Sequence, residues 1–257
     1  MKITTWNVNG VRARLAHVID FLRNEQPDVL CLQETKVEDA QFPRTALEDE
    51  GYEIAYFGQK GYNGLAILAQ DAITDLRRGL VDDPPDAERR ALGGTVRGMR
   101  VLDLYVPNGQ EVGSDKYRYK LDWLRRLRNH LDTRYHHAEP LVVVGDFNVT
   151  LDDRDVHDPT LWRDKILCSA PEREAMRTVM AFGLDDTLRR FRSEAGIYTW
   201  WHYRVGPTRT DEGLRIDYIL TNASASARCT GIQVHLDERL RQSPSDHVPV
   251  TATFTDA

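Results

Sequence analysis

The amino-acid sequence predicts an α/β fold: a four-layer sandwich of two packed, mainly antiparallel β-sheets with helices on the outer faces. Three observations carry that prediction. Apolar segments of strand length outnumber helical ones. Many are sequence neighbours joined by short Gly, Asp or Pro turns, as antiparallel strands are. The helices are too few for a fully alternating parallel fold, so two sheets must cover each other on one face and be covered by helices on the other. With 257 residues, 41% hydrophobic and 29% charged, the chain can bury a large core as a single domain over 1–257. No repeat, low-complexity tract or linker divides it.

Residues 2–6 form a short β-prone segment. Over 11–25, Leu15, Val18, Ile19 and Leu22 recur at helical spacing, and Pro27 ends that helix. Residues 29–32 read as a buried strand. Further strands are expected at 53–57, 65–69, 72–76, 95–96 and 101–106, between turn-forming residues. Residues 114–137 read as a long basic helix carrying Tyr117, Leu121, Leu124, Leu127 and Leu131, followed by a buried strand at 141–144 that ends at Gly145. Ser169 and Glu172 match a capping box opening a second helix that closes near Gly183. Strands at 198–202, 215–220, 232–234 and 248–254 complete the pattern, and the Asp82 to Asp86 stretch is a surface loop.

Composition narrows the function. Cys31, Cys168 and Cys229 are an odd number without a C-x-x-C pair, which suits free thiols in a reducing compartment. The first residues lack a signal-peptide apolar core, and no apolar run approaches the ~18 residues that cross a bilayer. A cytoplasmic protein without a membrane partner is expected. The net charge of −6 argues against a generally basic nucleic-acid binder but allows local contacts. The arginines at 89, 90, 125, 126, 128, 189, 190 and 192 are candidates for phosphate contact, although for most of them solvated surface charge is the better reading.

Polar and acidic residues recur where hydrophobic strands end. Asn7 and Asn9 follow the first strand, Gln33 and Glu34 the second. Tyr105, Pro107 and Asn108 close the strand at 101–106, and Asp146 and Asn148 the one at 141–144; Asp217 lies within 215–220, and Asp246 and His247 precede the last strand. Side chains at strand ends sit on rigid elements and face a cleft. If the ends converge, several carboxylates share one site, which requires a cation. Oxygen ligands without thiolates point to Mg²⁺, with Mn²⁺ as a substitute.

Seven segments in register carry a resemblance. W-N-V-N-G at 6–10, L-Q-E-T-K at 32–36, Y-V-P-N-G at 105–109, G-D-F-N at 145–148, W-W-H-Y-R at 200–204, L-R-I-D-Y at 214–218 and S-D-H-V-P-V at 245–250 resemble the exonuclease III family of AP endonucleases, within the endonuclease/exonuclease/phosphatase superfamily. The resemblance implies a DNase I-like fold. It also implies a DNA-repair nuclease that hydrolyses phosphodiester bonds 5′ to abasic sites, with 3′-phosphodiesterase and 3′→5′ exonuclease activity on double-stranded DNA, acting as a monomer.

By that resemblance Glu34 is the principal metal ligand, helped by Asn9 and Asp246, with Asp146 and Asn148 also in the ligand set. Asp146 orients or deprotonates the attacking water and Asn148 holds it. His247 contacts the phosphate, Asp217 accepts its other N–H, and Tyr105 and Asn7 bind or polarise the phosphate. Asp146 and His247 both remain candidates for the general base. Trp200, Leu214 and Ile216 fall where the family builds a pocket for a flipped-out abasic sugar, with Trp201 beneath; Arg90, Lys116, Tyr117 and Lys120 fall where it contacts DNA.

Two departures stand out. Arg209-Thr210-Asp211-Glu212 replaces a basic or amide-rich stretch, so two acids face the DNA side. Ser169-Ala170 replaces a bulkier apolar pair, so the preceding loop is expected to pack differently. Competing readings are an inositol-phosphate phosphatase, sphingomyelinase or RNA deadenylase on the same fold, or a non-catalytic DNA-binding or scaffold module; the L-Q-E-T-K, W-W-H-Y-R and L-R-I-D-Y segments favour the nuclease.

Overall fold

A computed structural model describes residues 1–203 and 211–256; Arg204, Arg209 and Thr210, singled out above, lie outside the described residues. In chain order the elements are β1 (Lys2–Asn7), α1 (Leu15–Glu25), β2 (Val29–Gln33), α2 (Arg44–Glu48), β3 (Glu53–Phe57), β4 (Leu65–Ala69), β5 (Thr74–Arg78), β6 (Ala91–Val96), β7 (Met99–Tyr105) and α3 (Asp115–Arg134). There follow β8 (Leu141–Asp146), α4 (Pro159–Trp162), α5 (Ala170–Met180), β9 (Leu184–Asp186), α6 (Thr187–Phe191), β10 (Asp217–Asn222), α7 (Ala223–Ser226), β11 (Cys229–Val234) and β12 (Val250–Phe254).

The strands form two six-stranded sheets, ordered β11-β12-β1-β2-β4-β3 and β5-β6-β7-β8-β10-β9. Each has one parallel pair near its centre, β1 with β2 and β7 with β8, and antiparallel neighbours elsewhere. Parallel strands need a crossover; α1 supplies it in the first sheet and α3 in the second. The two halves are therefore built alike, and the carboxyl ends of both parallel pairs carry the polar residues marked in the sequence.

Strand alternation makes the layers. Val29 and Cys31 of β2 point between the sheets, where they join Ile67 of β4 and Val101, Val142 and Val144 of the second sheet. Leu30 and Leu32 point outward onto Val18, Phe21 and Leu22 of α1. On the far side, Leu102, Leu104 and Val143 pack against Trp123, Leu124 and Leu127 of α3 and Met176 and Val179 of α5. Helix, sheet, sheet, helix is the observed order, as the sequence predicts. At about 25 cal/mol per Å² of apolar surface, burial of these faces is the dominant favourable term.

The strand expected at 198–202 is not formed. That segment is an extended linker whose two sides pair with different partners: Trp200 bridges to Leu214 on one side and to His247 on the other. It therefore ties the approach to β10 to the approach to β12 instead of joining a sheet. The capping box forms as read, with Ser169 and Glu172 exchanging hydrogen bonds at the start of α5. Ser169 also reaches Tyr117 Oη at 2.7 Å, a contact no apolar residue could make. No helix among the described residues is long and apolar enough to cross a membrane.

Candidate active site

Gly145 shows why the second sheet can present Asp146. Its φ is +138°, and a Cβ there would lie 1.9 Å from the carbonyl oxygen of Leu104, so only glycine lets β7 and β8 approach this closely. Asp146 then stands opposite Tyr105 across the parallel pair and opposite Asp217 across the antiparallel one. In the first sheet Asn7 and Gln33 end β1 and β2 side by side. Asn9, Glu34, Lys36 and Asn148 all take left-handed backbone conformations, φ +46° to +54°. Such strain persists where the surroundings over-determine it, and it clusters at functional sites.

The two sheet ends meet in one polar cluster. Asn7 Nδ2 donates to Glu34 Oε1 at 2.8 Å and to Asp146 Oδ2 at 2.9 Å. His247 Nδ1 lies 2.9 Å from Asp217 Oδ2, and His247 Nε2 lies 3.7 Å from Asp146 Oδ2. Asp217 is held in turn by the Thr199 hydroxyl at 2.6 Å. Ligand atoms of Glu34, Asp146 and His247 all lie within 4.8 Å of one another. Asn9 and Asp246 pair with each other at 2.9 Å, and Asp246 also accepts from Trp200 Nε1 at 3.1 Å. Lys36 Nζ bonds Asn9 Oδ1 and pairs with Glu34 Oε2 at 2.7 Å.

Burial and like charge set the protonation states. Burial, with the charges of Asp217 and Glu34, pushes Asp146 up to about 7 against the pull of His247. Burial works against charging His247, but the carboxylates of Asp217 and Asp146 outweigh it and raise it to about 10. Burial also pushes Asp246 up, yet His247 and the Asn9 and Trp200 hydrogen bonds hold it below its ordinary value. Burial followed by the charges of Glu34 and Asp146 keeps Tyr105 well above the usual phenol range, a neutral donor. Four carboxylates (Glu34, Asp146, Asp217, Asp246) thus face two cations (Lys36, His247), which leaves an excess of negative charge. A dication fits that imbalance, and hard carboxylate oxygens fit a hard ion.

The family description "Endonuclease/Exonuclease/phosphatase family" matches residues 4–247. The chain belongs to this family. Within the Endonuclease/Exonuclease/phosphatase family it is 32% identical to exodeoxyribonuclease III of Haemophilus influenzae, over 99% of this chain and 100% of that one. It also resembles the structure of a Neisseria 3′ phosphatase bound to a product DNA hairpin, with a TM-score of 0.95 at 40% identity over 99% of each chain. An AP endonuclease from Archaeoglobus fulgidus matches equally well, with a TM-score of 0.95 at 38% identity over 99% of each chain. The DNase I-like arrangement of sheets and helices and the exonuclease III resemblance agree with these findings.

Burial places several of the expected substrate contacts below the surface. Trp201 is fully buried and packs with Tyr198 and Val248 in a cluster separate from the one beside Trp200, under the guanidinium of Arg239. Successive residues of an extended segment point opposite ways, so Trp200 and Trp201 cannot share one pocket. Leu214 and Ile216 are also fully buried and form a floor with Val156 and Leu167, against which the half-buried Trp200 packs. Tyr117 and Lys120 are buried beneath the surface, so their side chains do not face DNA; Lys116 is exposed. Arg90 pairs with Glu88 at 2.7 Å and covers the Tyr105 ring at 4.8 Å. Arg90, Tyr105, Asn108 and Lys116 line a groove of about 720 Å³ beside the cluster.

The arginine clusters are mostly engaged elsewhere. Arg125, Arg126 and Arg128 pair with Asp122, Asp82 and Asp132, while Arg189 and Arg192 pair with Asp155 and Glu194. Lys36 and Thr199 are the site residues that sequence reasoning passed over. Lys36 lies within the quoted L-Q-E-T-K segment, and Thr199 directly precedes Trp200.

Proposed function

We propose that the chain is a Mg²⁺-dependent DNA-repair nuclease, with Mn²⁺ as a possible substitute, that hydrolyses the phosphodiester bond 5′ to an abasic site. The same site would trim blocked 3′ ends and remove 3′ nucleotides from double-stranded DNA. The observation that carries this reading is the junction of both sheets at Asn7, Glu34, Asp146 and His247, with Trp200 bonded to Asp246 at its edge. One apolar wall stands against one hydrolytic cluster, which is what a flipped, base-less sugar needs.

Glu34 and Asp146 would hold the metal, with Asn9, Asp246 and Asn148 around it. When bound, the ion supplies neutralisation of the phosphate and of the departing 3′-oxygen. Asp146, which burial raises when no ion is bound, is placed to orient the attacking water or take its proton. His247, raised to about 10, is a cation near neutral pH and therefore binds a phosphate oxygen instead of acting as the base. Asp217 accepts its Nδ1–H and so fixes the orientation of the ring, with Thr199 fixing Asp217. Tyr105, kept neutral, donates to the phosphate, and Asn7 and Asn148 orient it and the water. Water attacks phosphorus, the bond to the 3′-oxygen breaks, and the products are a 3′-hydroxyl and a 5′-phosphate on the abasic sugar.

Arg90 and Lys116 lie along the groove that would receive the DNA backbone. A monomer working in the cytoplasm, at the nucleoid if the host is bacterial, goes with this function. The test is a labelled duplex carrying one abasic analogue, incubated with Mg²⁺, Mn²⁺ or EDTA. Nicking 5′ to the lesion with either metal, abolished by EDTA, is expected. An intact duplex beside phosphate released from an inositol phosphate would favour the phosphatase reading instead.

A further inference from the structure

Lys120 and Glu172 form an ion pair in which both side chains are fully buried. The ammonium of Lys120 donates to the carbonyl oxygens of Asn148, at 2.6 Å, and Asn108, at 3.0 Å, and its remaining proton goes to Glu172 Oε1. All three of its donors are used. Glu172 Oε1 also accepts from the Leu167 amide at 3.1 Å, and Oε2 accepts from Ser169 N–H at 3.1 Å and from the Ser169 hydroxyl at 2.6 Å.

Two sides of the site hang on this pair. Asn148 sits at φ +50°, accepts from Asn108 Nδ2 at 3.0 Å, and gives its backbone N–H to Asp146 Oδ1 at 2.9 Å. Leu167, at φ +73°, belongs to the apolar floor behind Trp200. Neither residue is glycine, so each left-handed conformation must be held by its hydrogen bonds. An arginine could not replace the lysine. A flat guanidinium does not aim three protons from one nitrogen, and Gly109 already approaches closely enough that a Cβ there would meet Lys120 Cδ at 3.0 Å.

We propose that the Lys120–Glu172 pair is the positioning element of the hydrolytic site, setting Asn108 and Asn148 at one end and the Leu167 wall of the sugar pocket at the other. It touches no substrate. Its effect passes through Asn148, which with Asp146 orders the attacking water, and so rests on the nuclease reading above. Removing one partner would strand a buried charge, whereas replacing both with apolar side chains removes the charges together. The full chain is therefore compared with Glu172→Gln and with the double variant Lys120→Met, Glu172→Leu, on the abasic duplex with Mg²⁺.

The expected result is a double variant that still melts cooperatively, with kcat lowered at least about tenfold and KM within about threefold of the parent. Glu172→Gln should fall in between. A crystal structure of the double variant should show Asn148 out of the left-handed region and the Asn108–Asn148 bond lost. A folded double variant with kcat within about twofold of the parent would overturn the proposal. So would failure of both variants to fold, which would make the pair a folding requirement only. A parent that leaves the duplex intact would sink the nuclease reading, and the placement of Asn148 in the variant's structure would then decide this proposal alone.

Discussion

The side-chain amide of Asn7 bridges Glu34 and Asp146, at 2.8 and 2.9 Å, and so joins a carboxylate of the first sheet to one of the second. Its backbone carbonyl is held by the Ser245 hydroxyl at 2.7 Å, which fixes the bridge from behind. Asn7→Ala should therefore lower kcat about 10²-fold, the usual cost of losing one preorganised donor. The melting temperature should move little, because the carboxylates keep other partners. Single-turnover nicking with saturating Mg²⁺, beside a thermal melt, measures both.

Asp217→Asn should shift the pH–rate profile. The charge of Asp217 helps raise His247 to about 10, so the cationic form persists from acid pH up to that value and is lost as pH rises through it. Without that charge His247 titrates lower, and the alkaline limb of kcat/KM should move toward neutrality. A profile with an unmoved alkaline limb would remove His247⁺ from phosphate binding.

Trp200 has two jobs that substitution can separate. Its ring packs on Leu214 and Ile216, and its N–H bonds Asp246. Trp200→Phe keeps a flat apolar wall and loses the donor, so preference for abasic over intact DNA should largely survive. Trp200→Ala removes the wall and should lower that preference about tenfold or more, within the range expected of a shaped apolar pocket. Competition between abasic and undamaged duplexes reads the difference.

Acid should weaken the fold through a residue far from the catalytic cluster. His130 lies on the buried face of α3, accepts the Val81 N–H on Nδ1 at 3.0 Å, and is pushed down to about 4, chiefly by burial. Its stabilising neutrality is complete above pH 6.5 and is lost as pH falls from there through about 4. The drop corresponds to about 3 kcal/mol. His130→Gln should flatten urea-unfolding stability between pH 6.5 and 4; an unchanged acid slope would show that other groups carry it.

Much of this was written in strand ends. Strands at 53–57 and 65–69 have the bounds that their turn residues imply, because the flanking Gly, Asn and Asp punctuate them. Glu34, Asp146, Asp217 and His247 converge because each terminates or adjoins a buried strand of the two parallel pairs or their neighbours. The short elements β9, α6 and α7 span three to five residues, too few to show a period. The segment at 198–202 has strand composition but bonds alternately to two partners, a tertiary choice invisible locally.

Lys120 shows a signal that was present and outweighed. Tyr117, Lys120, Leu124, Leu127 and Leu131 form one buried stripe on α3 at helical spacing, and a lysine in such a stripe has to find an acid. The family resemblance placed Lys120 among the DNA contacts; the periodicity pointed inward. Lys36 was lost for the converse reason, since a lysine after a strand is ordinarily solvated.

The donor set is drawn from residue 7 to residue 247, and β12 pairs with β1 through Lys2 and Thr253. A nascent polypeptide therefore holds no complete hydrolytic cluster until His247 has left the ribosome, and a fragment ending before His247 should be inert toward DNA. Topology thus ties the appearance of activity to synthesis past His247.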